Sequence, residues 1–226
     1  MPPLRHLITA LSGILLAFVA GSVDTATFLR VSELFSAHIT GNFVVFAIAM
    51  VHGVRRVDWL KLIALPVFFI GVPLATFIYD RTRHKIRIVL ALEALLLLGA
   101  GGLELLLHTR TYDAWLAMML VLAMAVQNAA HQVEPSLGAT SAVMTTNAAK
   151  LFVALWRTLS PPPPGEATVK AHGIAARMAC FALGCVISAF GTHAFGLASV
   201  LLPAFIVGLV AASYQPTQQE FHAGRA

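Results

Sequence analysis

Hydrophobic residues in this chain are grouped in long runs that are separated by short polar stretches. Several runs reach the roughly 17–25 residues that an α-helix needs to cross about 30 Å of hydrocarbon. Each run is predicted to be helical, because lipid offers no hydrogen-bond partner to the backbone. The pattern therefore predicts an all-α integral membrane protein with about six to eight membrane segments. These segments are residues 7–29, 35–54, 60–79, 88–107, 114–130, 139–156, 174–194 and 198–212.

Two parts of the chain carry the same arrangement of polar residues. Asp24 is followed 18 residues later by Asn42, and Asn128 is followed 19 residues later by Asn147. Each of the later asparagines closes a motif, Thr-Gly-Asn or Thr-Thr-Asn, that opens a short apolar helix. We predict two pseudo-repeated halves within a single membrane domain, with a helix break at each motif. The halves are residues 1–107 and 108–226.

The number of crossings depends on how the two motif segments are arranged. If all eight segments cross, the chain forms two four-helix halves in parallel orientation. If the motif segments are half-helices that turn back, six crossings remain and the halves are inverted, a recurrent transporter plan. Only 12 residues separate Asn42 from Arg55, and nine separate Asn147 from Arg157. These stretches amount to about 18 Å and about 14 Å of helix, which favours a break at each motif.

Composition and charge agree with a membrane protein. Apolar residues make up 58% of the 226, and charged residues only 11%, against about 25% in soluble domains. The formal charge of +5 lies in short loops between apolar runs, as expected for residues that set membrane topology. We therefore exclude nucleic-acid binding and expect the lipid bilayer as partner, with both termini cytoplasmic in either arrangement. A homodimer suits a chain of this size, and four prolines at 161–164 predict a stiff polyproline connector.

Asp24 is the strongest candidate for a functional residue. It follows a stripe of small residues, Gly13, Ala17 and Gly21, that lets a neighbouring helix approach and turns Asp24 towards protein. A carboxylate at the centre of a membrane helix costs about 2.5–3.5 kcal/mol, so its presence at that depth indicates a solute or ion pathway. The alternative is that Asp24 lies near the interface and only caps or pairs.

Two basic side chains are candidate partners of Asp24. Lys150 can pair with Asp24 or hold an anionic substrate, or it can extend to water along its own helix. His38, beside the first motif, can relay protons near neutral pH, or it can simply pack. Both alternatives remain open for each residue.

Amide and hydroxyl side chains complete the predicted pathway. At a helix N-terminus they can cap unpaired N–H groups, and the positive end of the helix dipole can face an anion or polar solute. The alternative is capping or helix-to-helix hydrogen bonding without a ligand. No cofactor and no metal site are expected, because His131 and Glu134 have the spacing of a ligand pair without further ligands. The pathway candidates of this type are Thr40, Asn42, Gln127, Asn128, Thr145 and Asn147.

Four short motifs resemble those of a known family. Together and in this order they look like the bacterial YoaK-type membrane proteins, which share a domain of unknown function numbered 1275. The resemblance runs across nearly the whole chain and implies a multi-pass protein of the bacterial inner membrane, with no activity attached. This chain departs from the family at Thr146, where glycine is usual, and by a polar insertion at 131–138. The motifs are residues 21–26, 37–42, 127–129 and 143–147.

These features favour a small secondary transporter or permease for a small polar or anionic solute. In that hypothesis Asp24, with Lys150 or His38, binds a proton or ion, and the helix breaks bind the solute. A passive channel is the first alternative, and a non-transporting accessory or sensor protein is the second. An enzyme is not expected, because no acid–base pair, nucleophile elbow or zinc motif occurs at usable spacing.

Overall fold

The computed structural model describes residues 2–107, 109–138, 144–160 and 171–214. Within those ranges the chain is helical and contains no strand, which confirms the all-α prediction. Among the described residues, five stretches are long and apolar enough to cross a membrane. The predicted polyproline connector at 161–164 lies outside the described residues. The helices are α1 (Pro2–Arg30), α2 (Gly41–His52), α3 (Trp59–Arg81), α4 (Lys85–Leu107), α5 (Asp113–Val133), α6 (Met144–Leu159), α7 (Ala171–Phe195) and α8 (Leu201–Ser213).

Helices α1 and α7 run parallel and pack closely at small residues. The Ser22 hydroxyl donates to the carbonyl of Gly184 at 3.2 Å, and the Ser188 hydroxyl donates to the carbonyl of Ser22 at 2.6 Å. A Cβ atom on Gly21 would overlap the backbone carbonyl of Phe181, so only glycine allows this approach. Gly21, in the stripe of small residues predicted on α1, therefore lies on the surface that α7 covers.

Contacts between side chains and backbone fix the directions of the other long helices. Arg30, at the end of α1, pairs with Glu104 near the end of α4 and with Asp113 at the start of α5. The Gln127 amide of α5 donates to the carbonyl of Leu16 at the middle of α1, about 21 Å along the helix from Arg30. Helix α1 is thus parallel to α4 and antiparallel to α5.

Helices α7 and α8 form a hairpin, although residues 172–213 read as one continuous apolar stretch. The chain reverses at Gly196, whose φ of +59° is a conformation that favours glycine. Thr192 and Ser199 join the two arms through a 2.8 Å hydrogen bond between their hydroxyls. Helix α8 then runs antiparallel to α4, since Arg87 Nε donates to the carbonyl of Ala211 at 3.1 Å.

Helix α2 does not traverse the molecule. After α1 ends at Arg30, the connecting segment 31–40 folds back along α1 to the level of Asp24, about 9 Å below that end at 1.5 Å per residue. Helix α2 starts there and returns to the same end, where Phe46 packs on Trp59 with ring centroids 5.5 Å apart. The predicted helix break at the Thr-Gly-Asn motif is confirmed.

Helix α6 also has both flanks at one end of the molecule. Leu137, before α6, lies beside Gly13 near the start of α1, and its carbonyl accepts from Arg177 near the start of α7 at 3.0 Å. The described residues that precede and follow α6 in the chain, up to Gly138 and from Ala171, therefore lie on the side opposite to α2. Six helices, α1, α3, α4, α5, α7 and α8, traverse the molecule in alternating directions.

Candidate functional site

The segment at 31–40 is anchored on the carboxylate of Asp24. Asp24 Oδ1 accepts hydrogen bonds from the backbone N–H groups of Ser36 at 2.7 Å and Ala37 at 2.6 Å, and from the Ser36 hydroxyl at 3.1 Å. Asp24 Oδ2 accepts a hydrogen bond from the backbone N–H of His38 at 3.3 Å and faces the His38 ring. Asp24 is only 4% exposed, so these groups take the place of its water.

Asn42 fixes the same segment from the other side. Its Oδ1 accepts the backbone N–H of Phe35 at 2.8 Å, and its Nδ2 donates to the carbonyl of Phe35 at 2.9 Å. Gly41 lets the Phe35 ring lie against the start of α2, because a Cβ there would be 3.0 Å from the ring. Asn42 is fully buried, while Thr40 is exposed and makes no capping hydrogen bond. Asn42 thus holds the backbone in place, and Thr40 is left facing outward.

A cavity of about 630 Å³ opens between α1, α7 and the anchored segment. Its wall is mainly aromatic and aliphatic, with Phe28, Phe35 and Phe181 as the largest side chains. Such an apolar wall with a few convergent polar groups is typical of a small-molecule site. The polar side chains in the wall are Asp24, Thr25, His38, Thr40 and Cys185.

His38 is the polar ring that faces this cavity. Its Nδ1 lies 2.5 Å from Asp24 Oδ2, which orients the ring and leaves Nε2 available on the other side. Phe181 packs edge-on against the ring at 5.5 Å between centroids. The carboxylate of Asp24 lies beside the ring and stabilises its protonated form through this hydrogen bond and through its negative charge. His38 is therefore biased towards the protonated form, with an Nε2–H that can donate.

The candidates from the second half do not join this cavity. Gln127 is buried and donates to the carbonyl of Leu16 at 3.1 Å, which ties α5 to α1. Lys150 is exposed on α6, and the described ion pair of Asp24 is with His38. The residues that the structure brings together are Asp24, His38 and Thr40, and those it leaves elsewhere are Gln127, Asn128, Thr145, Asn147 and Lys150.

An ion-pair cluster at one end of the molecule was not predicted. Arg30 lies 2.8 Å from Glu104 and 3.1 Å from Asp113, which joins α1, α4 and α5. Arg30 and Glu104 of this cluster line a second cavity of about 420 Å³, together with Arg110 and His193. No sequence signal could have found it, because the partners are 74 or more residues apart and no motif links them. Within the described part of the chain, no group of three or more His, Cys, Asp or Glu residues could hold a metal ion.

Comparison with known proteins assigns the chain to a protein family. No curated protein and no solved structure matches the chain. A family model described as "Protein of unknown function (DUF1275)" matches residues 12–213, which include all four sequence motifs. The predicted resemblance is confirmed, and the chain belongs to this family of proteins of unknown function.

Proposed function

We propose that the protein is a secondary transporter for a small solute with an apolar body and a polar or acidic end, bound in the cavity between α1 and α7. The observation that carries this proposal is His38, oriented by Asp24 and facing a cavity at a helix break. Small-molecule sites have volumes of about 300–1,000 Å³, and this cavity falls within that range. Its aromatic wall suits the apolar part of such a solute, and the His38 Nε2–H suits the acidic end.

Packing partners support two inverted halves, which would allow alternating access to the cavity. Helix α1 packs on α7, and in the second half the corresponding α5 packs on α3. Likewise α2 packs on α3 and α6 on α7, while α4 packs on α5 and α8 on α1. If each helix of residues 1–107 is exchanged with the corresponding helix of residues 108–226, every one of these packed pairs becomes another packed pair. Inverted repeats of this kind move against each other in many transporters.

We expect the orientation to follow the loop charges, with both termini in the cytoplasm of the inner membrane. The test uses a variant with Cys180 and Cys185 replaced by alanine and a single cysteine at Arg83. This cysteine should react with a membrane-impermeant reagent only after the cells are broken and the cytoplasmic face is exposed to the reagent. A matched cysteine at Arg55 should react from outside intact cells, since Arg55 precedes α3 and Arg83 follows it. Labelling of Arg83→Cys from outside would contradict the six-crossing orientation.

His38→Gln is expected to weaken solute binding about 10- to 100-fold, the range set by a hydrogen bond to a charged group. The ligand panel is short-chain, aromatic and hydroxy carboxylic acids, screened by thermal shift and then by uptake into liposomes. Because the ionised end of the acid pairs with the protonated ring that Asp24 stabilises, wild-type binding should weaken as the pH rises and His38 loses its proton. Asp24 on α1 and Cys185 on α7 are the other titratable side chains among the described residues of the cavity wall.

His52→Gln is the matched control, because His52 is exposed at the end of α2 and away from the cavity. It should bind with the wild-type affinity and pH profile, while His38→Gln should lose the pH dependence. If both variants behave as wild type, the cavity is not the solute site. Uptake that equilibrates without ever accumulating solute would identify a passive channel.

A further inference from the structure

Glu93 lies at the centre of the buried face of α4. The buried positions recur every three or four residues along this helix, and Glu93 is the fourth of the nine. It is fully buried, about 9 Å of helix from Arg87 and about 16 Å from Glu104. Neither carboxyl oxygen has a hydrogen-bond partner in the described part of the chain.

The other buried carboxylates show what an ionised group requires here. Each accepts hydrogen bonds or pairs with a cation, as Asp24 does with three N–H groups and His38. A carboxylate without such partners is too poorly solvated to stay ionised, so Glu93 in this conformation carries a proton. In the same way, Asp58 pairs with Lys61, Glu104 and Asp113 both pair with Arg30, and Glu134 accepts a hydrogen bond from the Ser136 hydroxyl.

The elements packed against α4 bring no compensating charge to this depth. Helix α8 and the turn at 196–200 contain no titratable side chain. A leucine would fill the space of Glu93 without leaving polar atoms unpaired, so the carboxyl adds nothing to packing. The titratable side chains of α3 and α5 lie towards the helix ends, at Lys61, Tyr79, Asp80, Arg81, Asp113 and His131.

We propose that Glu93 is a proton-binding site, separate from the solute cavity, at the contact of α4 with the second half of the chain. Helix α4 belongs to residues 1–107, and it packs on α5 and α8 of residues 108–226. When the halves move apart, water reaches Glu93 and the carboxylic acid releases its proton to that water, leaving the carboxylate. The coupling of this step to solute movement rests on the proposed function, whereas the proton site itself does not.

The first experiment tests the proton site without any solute. Infrared spectra of the full-length protein in lipid at neutral pH should contain the carbonyl band of a protonated carboxylic acid in apolar surroundings. Glu93→Gln should remove that band. Glu104→Gln, on the same buried face but paired with Arg30, should leave it in place. A wild-type spectrum without the band, or a band that survives in Glu93→Gln, overturns the proposal.

The second experiment tests coupling, with the carboxylic acid from the panel that binds the wild type. Glu93→Gln should exchange this acid across the liposome membrane at the wild-type rate. It should no longer use an imposed pH gradient to accumulate the acid above its external concentration. Accumulation equal to wild type overturns the coupling role. If the wild type moves no member of the panel while the band depends on Glu93, the transport proposal fails and the proton site stands. Glu93→Leu should melt no lower than wild type, which separates lost coupling from misfolding.

Discussion

Asp24→Ala is expected to lower the free energy of unfolding by about 3–5 kcal/mol, the range seen when one partner of a buried charged pair is removed. The carboxylate accepts the backbone N–H groups of Ser36 and Ala37, and both residues are buried. Alanine leaves these donors without a partner, at about 1–3 kcal/mol each. Segment 31–40 should then detach from α1, and the cavity wall formed by Phe35 and His38 should be lost. Unfolding in a detergent titration measures the loss of stability.

Asp24→Asn is the matched variant for this test. An asparagine keeps one oxygen in position to accept from Ser36 and Ala37, and loses mainly the ion pair with His38. We expect a loss of about 1–2 kcal/mol, clearly smaller than for alanine. Equal stability of Asp24→Ala and wild type would show that segment 31–40 does not depend on this carboxylate. A protease that cuts the segment in Asp24→Ala and spares it in Asp24→Asn would locate the change.

The helices could be predicted well from the sequence, because a membrane-spanning segment can adopt only a few backbone structures. The segment predicted at 60–79 is α3, and the segment at 88–107 lies within α4. In both cases the apolar run is long enough to span hydrocarbon, and charged residues mark its ends. The break before α2 was also predicted, since Gly41 and Asn42 interrupt an apolar stretch.

Partners across the fold could not be predicted in the same way. Asp24 was expected to face a solute or Lys150, and the structure shows its oxygens occupied by residues 36–38 of its own connecting segment. Spacing along a helix tells which face a residue occupies and says little about what covers that face. Lys61 is a second example: it reads as a loop cation but is 1% exposed and paired with Asp58 at 2.7 Å.

The candidate site illustrates the same limit. The sequence predicted symmetric roles for Asn42 and Asn147, but Asn42 is tied to Phe35 and does not line the cavity. The predicted role of His38 depended on a partner that only the fold brings close, 14 residues away across a chain reversal. The reversal itself uses positive φ angles at Ser32 and Glu33, which no pattern of apolar residues indicates.

Arg30→Met is expected to destabilise the protein by about 3–5 kcal/mol, because it leaves two carboxylates without their cation. Arg30 is largely buried between Glu104 on α4 and Asp113 on α5, at 2.8 and 3.1 Å. Methionine preserves most of the apolar volume of the arginine, so the loss reports charge more than packing. The three residues hold together one end of α1, α4 and α5, and this end should open first on heating.

Adding Glu104→Gln and Asp113→Asn to Arg30→Met should restore most of the lost stability, since the two neutral amides do not repel each other as the two carboxylates do. The comparison separates the two ways in which the cluster can act. If the triple variant is as stable as wild type, the ion pairs only compensate for their own burial, and the helices are held by apolar packing. If it stays as unstable as Arg30→Met, the contacts of Arg30 with both helices are themselves required. In that case Arg30 ties α1 of the first half to α5 of the second, and its release would accompany any movement between them.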